Sequence, residues 1–158
     1  MKKITDILGL KEKESAAISE KLNKLLSDYN IYYQNLRAFH WLIQGEKFFV
    51  LHEKFEELYN DAFEKIDEIA ERILTIGVKP LHTYEDYIKN SSIKVEKDKT
   101  DATSTVAATL DNLSKLISVE RSILALAGDA EDEGTAAMMG DYISQQEKVV
   151  WLLSAFMK

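Results

Sequence analysis

Hydrophobic residues recur at three- and four-residue steps in four segments of the chain, which predicts four long amphipathic helices. The second segment runs from about Lys47 to Ile76, the third follows Thr100 and Asp101, and the fourth begins after Gly134. No segment alternates between polar and apolar residues as a strand would. The first stripe consists of Ile18, Leu22, Leu25, Tyr29, Tyr32 and Leu36.

The breaks between these segments predict how the helices connect. Short breaks near Gly45 and at 128–134 join the first helix to the second and the third to the fourth, so each pair should be antiparallel. The link at 77–100 is longer and contains Thr83, a good N-cap for a short helix. We therefore predict one all-α domain over residues 1–158: a four-helix bundle with a crossover between helices 2 and 3 that carries a short helix.

Composition narrows the chemistry that this bundle can perform. The chain contains no cysteine, which excludes disulfides, iron–sulfur clusters and thiol catalysis, so any metal must be held by His, Asp or Glu. A net charge of −7 argues against a protein whose whole surface seeks nucleic acid. No segment is apolar enough to span a membrane, and the N-terminus lacks the pattern of a signal peptide, so we expect a cytoplasmic protein.

One stripe of the second helix combines metal-ligand side chains with apolar ones. His52, Glu56, Asp67 and Glu71 fall within about 100° of one another around the helix and border its apolar face. His52 and Glu71 are nevertheless about 28 Å apart along the axis, so no single ion can contact both. An antiparallel copy from another subunit would bring Asp67 and Glu71 to His52 and Glu56, with His40 completing a site for iron, zinc or manganese.

Simpler explanations stay open at this point. Acidic residues fall at i,i+4 by chance on a charged helix, so the stripe is also compatible with a solvated face and satisfied histidines. His82 is most simply a loop or capping residue, and Trp41 and Trp151 are most simply core aromatics. Neither the zinc-protease HExxH motif nor a Glu-x-x-His pair is present, so the diiron site of a single bundle is not encoded in its usual form.

The motifs as a set resemble those of the Dps family, the miniferritins called DNA-binding proteins from starved cells. Phe39-His40-Trp41 is followed by Gly45, by His52 twelve residues after the first histidine, and by Glu56. The run Asp67–Arg72 then reads DxxAER. The resemblance covers essentially the whole chain, and it implies a ferritin-like bundle assembled as a hollow dodecamer.

The resemblance also implies an activity and its residues. Dps proteins oxidise Fe(II), preferentially with hydrogen peroxide, at ferroxidase sites between twofold-related subunits, and they store ferric mineral inside the shell. By this resemblance His40, His52 and Glu56 come from one subunit, and Asp67 and Glu71 come from its partner. Many relatives have Asp where Glu56 stands here.

The resemblance also bears on how oxidising equivalents are intercepted, how iron enters the shell and whether the protein binds DNA. Trp41 resembles a family tryptophan that intercepts oxidising equivalents. Acids near Asp129, Asp132 and Glu133 line iron-entry pores in the family, and an exposed acidic loop is the alternative. The alternative function is a nucleoid-associated DNA-binding protein with weak or vestigial ferroxidase activity, which we do not favour because the N-terminal lysines are offset by acids.

Overall fold

The computed structural model describes residues 2–158, and this part of the chain contains helices and no strands. The helices are α1 (Ile4–Leu8), α2 (Glu12–Leu42), α3 (Phe48–Thr75), α4 (Tyr84–Asn90), α5 (Ala102–Asp129) and α6 (Glu133–Phe156). No helix in this range is both long and apolar enough to cross a membrane. The prediction of four long helices, with a short helix in the crossover, is confirmed.

The four long helices form the bundle, with α2 packed on α3 and on α5, and α5 packed on α6. All six residues of the first predicted stripe are buried, as are Leu51, Phe55 and Ile69 of α3. Between α2 and α3, Gly45 adopts a φ of 98°, and the neighbouring Gln44 N–H donates to the carbonyl of Thr100 at 2.8 Å. The turn between α2 and α3 is thereby joined to the segment that precedes α5.

The helix ends follow the capping residues of the sequence, except at α1 and at the start of α6. Asp101 accepts from the Ser104 N–H at 2.8 Å, and Gly77 has the left-handed φ of 88° expected after α3. The helical pattern of the sequence did not predict α1. It also predicted a last helix that begins after Gly134, whereas α6 begins at Glu133 because the Asp132 carboxylate caps it.

The crossover is attached to α2 by two buried polar side chains. The Asp28 carboxylate, which is fully buried, accepts from the backbone N–H of Ser92 at 2.5 Å and from the Ser91 hydroxyl at 2.9 Å. Asn35 donates to the Lys94 carbonyl at 2.8 Å and accepts from the following segment. These bonds satisfy backbone groups that would otherwise lie unpaired against the bundle.

An ion pair joins the end of α3 to the start of α6. Arg72 contacts the buried Asp132 carboxylate at 2.5 Å and donates to the Thr135 hydroxyl at 2.9 Å. A Cβ atom on Gly134 would lie 2.9 Å from the Arg72 guanidinium, so a larger residue there would displace that side chain. Asp132 thus caps α6 and binds α3 at the same time.

We expect Asp132→Ala to lower the free energy of unfolding by about 2 kcal/mol, because it removes a cap and leaves Arg72 without its partner. For a chain of this size the loss corresponds to a thermal midpoint about 4–8 °C lower. Differential scanning calorimetry measures the shift, with Glu133→Ala as the control because Glu133 is exposed in the same helical turn. Equal midpoints for the two variants would contradict this role of Asp132.

Both tryptophans correct the sequence analysis, which placed them in the core. In the single chain Trp41 is 57% exposed and Trp151 is 64% exposed. Each stands two residues from a buried neighbour, Phe39 and Leu153 respectively, and two helical residues differ by about 200° in direction. Their size favoured burial, but their helical position points them away from the core.

Candidate metal centre

Two histidines meet where α2 ends and α3 begins. The His40 and His52 rings are stacked, with centroids 3.7 Å apart. Nδ1 of His40 lies 2.7 Å from the His52 carbonyl oxygen, and Nδ1 of His52 lies 2.8 Å from the His40 carbonyl oxygen. A carbonyl only accepts, so each Nδ1 carries the proton and each Nε2 keeps a lone pair for a metal ion.

Aromatic neighbours hold these two rings in place. Tyr59 packs edge-on against His40 with centroids 5.3 Å apart, and Phe48 stacks on His52 at 5.0 Å. Burial, together with the neighbouring Glu56 carboxylate, raises the pKa of Tyr59, so its phenol stays protonated. Tyr59 was not among the predicted site residues, although its position seven residues after His52 places it on the same face of α3.

The three predicted acidic ligands are exposed on α3. Glu56 lies one turn beyond His52, whereas Asp67 and Glu71 lie further along the same helix. Exposed apolar side chains stand among them: Phe63 is 62% exposed and Leu74 is 55% exposed. Large apolar residues on an acidic face are typical of a surface that another molecule covers.

One chain does not complete a metal site within residues 2–158. No three His, Asp or Glu side chains in this range lie close enough together to hold an ion. The structure therefore brings His40 and His52 together but leaves Asp67 and Glu71 at a distance set by the length of α3. The shared site stays a prediction.

The other predicted residues differ in their exposure and in their contacts. Trp41 is exposed beside the histidines, and the Arg37 guanidinium lies 4.7 Å from the centre of its ring. In the acidic turn, Asp129 and Glu133 are exposed, whereas the Asp132 carboxylate is buried against Arg72 and Thr135. The pore assignment stays a prediction, and the geometry favours Asp129 and Glu133 over Asp132 for it.

A buried polar cluster inside the bundle was also missed. The fully buried Glu120 accepts from the Tyr29 hydroxyl at 2.8 Å and from the Gln146 amide at 2.6 Å. Burial raises the pKa of the Glu120 carboxyl to about 7. Lys65, also buried, pairs with Asp61. The signal in the sequence is a charged residue on an apolar stripe: Glu120 in step with Leu116 and Ile123, and Lys65 in step with Ala62 and Ile69.

Comparisons with known proteins agree with this fold and these motifs. A sequence profile described as "Ferritin-like domain" matches residues 19–158. A crystal structure of a Dps protein from Vibrio cholerae O1 superposes with a TM-score of 0.93 at 47% identity, covering 94% of each chain. Its description makes that protein a member of a broad superfamily of ferritin-like diiron-carboxylate proteins.

Two further relatives show the same breadth of similarity. The DNA protection during starvation protein of Porphyromonas gingivalis is 46% identical over 99% of this chain and 98% of its own length. A Dps crystal structure from Bacillus brevis gives a TM-score of 0.90 at 34% identity, covering 94% of this chain and 100% of that one.

The fold and motifs define the class as ferritin-like four-helix bundles. Within that class the chain belongs to the Dps family, the DNA protection during starvation proteins.

Proposed function

We propose that this protein is an iron-storage and detoxification miniferritin that oxidises Fe(II) with hydrogen peroxide and stores ferric mineral in a hollow homododecamer. The oxidation takes place at sites between twofold-related subunits, with His40, His52 and Glu56 from one chain and Asp67 and Glu71 from the other. The observation that carries the proposal is the reciprocal histidine pair, which fixes both Nδ1–H tautomers and leaves two Nε2 lone pairs beside Glu56.

In this proposal the protein positions its substrates and stabilises charge. Two Fe(II) ions each give one electron to one peroxide, so the O–O bond breaks into two hydroxide ions and no hydroxyl radical is released. Imidazole and carboxylate ligands suit iron, and the carboxylates favour the more highly charged ferric product. Fixed ligands bring the iron ions within reach of the same peroxide. Trp41 stands beside this site to intercept stray oxidising equivalents.

Anaerobic titration with Fe(II) tests the proposal, followed by peroxide addition to measure how many iron ions each peroxide oxidises. We expect saturable binding and two Fe(II) ions oxidised per peroxide. His52→Ala should weaken Fe(II) binding by at least about 10-fold, because it removes a direct ligand.

His82→Ala is the matched control, since His82 is exposed in the crossover and its Nδ1 lies 3.2 Å from the carbonyl oxygen of Pro80. Unchanged Fe(II) binding in His52→Ala, or absence of saturable binding in the unmodified protein, would contradict the proposal. Gel filtration of both variants checks that the shell still assembles.

The charge of the chain favours iron over DNA as its principal partner. A net charge of −7 per chain attracts cations and repels the phosphate backbone. The alternative, a DNA-compacting protein with weak iron chemistry, would retard DNA in a gel-shift assay at low salt. In the same proposal Asp129 and Glu133 guide iron inward, and the protein works in the cytoplasm.

A further inference from the structure

A groove between α3 and α6 carries a tyrosine that leads into the core. The groove has a volume of about 440 Å³, and both Glu71 and Tyr142 line it. The Tyr142 hydroxyl donates to the Glu68 carboxylate. Burial, as the larger cause, and this hydrogen bond both raise the pKa of the Tyr142 phenol. Tyr142 therefore lies on a surface that also carries a predicted iron ligand.

A second tyrosine with its own carboxylate lies behind the first. Tyr29 is 1% exposed, and its hydroxyl donates to Glu120 at 2.8 Å. Gln146 donates to the Tyr29 oxygen at 2.6 Å and so holds the phenol in this geometry. The second carboxylate oxygen of Glu120 is buried without a hydrogen-bond partner in the described chain.

The aromatic rings are close enough to exchange electrons. The Tyr142 and Tyr29 centroids are 6.2 Å apart at an interplanar angle of 67°, an edge contact between neighbouring rings. Tyr32 continues inward from Tyr29 at 6.3 Å. No hydrogen bond joins the Tyr32 hydroxyl to a carboxylate in residues 2–158, so Tyr32, unlike Tyr29, has no hydrogen-bonded base to take its proton.

We propose that Tyr142 and Tyr29 form a relay that carries one-electron oxidising equivalents from the α3–α6 groove to the core, where Tyr29 is oxidised and Glu120 takes its proton. For its natural oxidant the relay rests on the proposed function. That oxidant is the hydroxyl radical, which a lone Fe(II) ion produces from peroxide when the two-iron reaction fails.

Each step of the relay conserves electrons and protons. The hydroxyl radical removes the phenolic hydrogen atom of Tyr142 and becomes water. An electron from Tyr29 then reduces the Tyr142 radical, which takes a proton from water and leaves hydroxide, and the Tyr29 proton moves to Glu120. The net change is one hydroxide formed, one Tyr29 radical and one neutral Glu120 carboxyl.

Electrostatics direct the hole toward Tyr29. The Lys65 ammonium lies 5.0 Å from the centre of the Tyr142 ring, and a cation there disfavours removal of an electron. At Tyr29 the opposite holds, because oxidation with proton transfer replaces a buried carboxylate anion by a neutral pair.

Site-specific 3-fluorotyrosine with electron paramagnetic resonance tests the relay in the iron-free protein. A photochemically generated, cationic ruthenium(III) tris-bipyridine complex serves as oxidant, and the acidic groove should attract it. We expect the trapped radical to show fluorine splitting when the label is at position 29 and none when it is at position 32, the matched buried control. In a Tyr142→Phe background the fluorine-split component at position 29 should fall to background.

A radical without fluorine splitting from the label at position 29, or one unaffected by Tyr142→Phe, would overturn the relay. Because this experiment uses no iron, failure of the ferroxidase proposal would leave its result unchanged. A parallel sample oxidised with Fe(II) and peroxide should show the same splitting. Its absence there, when the iron-free sample shows it, would overturn the coupling of the relay to iron oxidation.

Discussion

Two variants that are each inactive alone, His52→Ala and Asp67→Ala, should regain Fe(II) oxidation when they are assembled together. The expectation follows from the proposed division of the site between subunits. In a mixed dimer, the His52→Ala chain still supplies Asp67 to one site, and the Asp67→Ala chain supplies His52 to that same site. One of the two sites is therefore intact, and the other carries both substitutions.

Random mixing of equal amounts makes half of the dimers mixed, so about one quarter of all sites should recover. Coexpression with two different affinity tags allows mixed shells to be isolated, and the initial rate of peroxide-driven oxidation reports the intact sites. Both homogeneous variants should show only background rates, because each lacks a direct ligand at every site.

The matched control combines His52→Ala with Glu56→Ala. These two residues belong to the same half of the site, so every site of a mixed dimer keeps one substitution and no recovery is expected. Equal recovery in the two mixtures, or no recovery in either, would contradict a site divided between His52 and Asp67. A site built within one chain would give the second result, since no ligand could be exchanged.

The bundle itself followed from the sequence because helix periodicity and capping are local properties. Every residue of the first stripe is buried, Asp101 caps the start of α5, and Gly77 follows the end of α3. The cap at Asp132 is local, since it accepts from the Thr135 N–H, but its ion pair with Arg72 joins residues sixty positions apart in the chain. Long-range pairs of this kind leave no periodic signal.

The candidate site was predictable in part for the same reason. Spacing alone placed His52, Glu56, Asp67 and Glu71 on one face of α3, and the length of the helix separated them into two halves. Spacing could not show that His40 and His52 bind each other's carbonyl groups, because that depends on how two helices meet. Nor could it distinguish the core from an exposed face, which is why Trp41 and Trp151 were misplaced.

Glu120→Gln should stabilise the protein above pH 7 and leave its stability nearly unchanged below about pH 4.5. Burial raises the pKa of this carboxyl from 4.5 to about 7, so the folded state binds the proton more tightly than the unfolded chain does. Stability therefore falls as pH rises through this window, and the full cost of the buried anion is present above it. A shift of this size corresponds to about 3 kcal/mol.

Glutamine keeps the shape of the side chain and its acceptor for Tyr29, but it carries no charge to bury. Its amide also supplies a donor in the neighbourhood of the Gln146 carbonyl oxygen, which is buried without a hydrogen-bond partner in the described chain. The gap in thermal midpoint between the variant and the unmodified protein should reach about 6–12 °C at pH 8 and close on acidification. Scanning calorimetry at several pH values between 4 and 8 measures it.

Glu64→Gln is the control for this prediction, because Glu64 is exposed on α3 and its replacement removes the same charge from the shell. We expect that variant to follow the unmodified protein at every pH, since an exposed carboxylate keeps its hydration in both states. A midpoint gap for Glu120→Gln that is the same at pH 5 and pH 8 would show that folding does not raise the pKa of this carboxyl, which would contradict the prediction. A gap that keeps widening up to pH 8 without levelling would instead show that the carboxyl is still neutral in the folded core at pH 8. Tyr29 would then lack the base that its oxidation requires, so this titration also decides whether Glu120 can accept the proton in the relay.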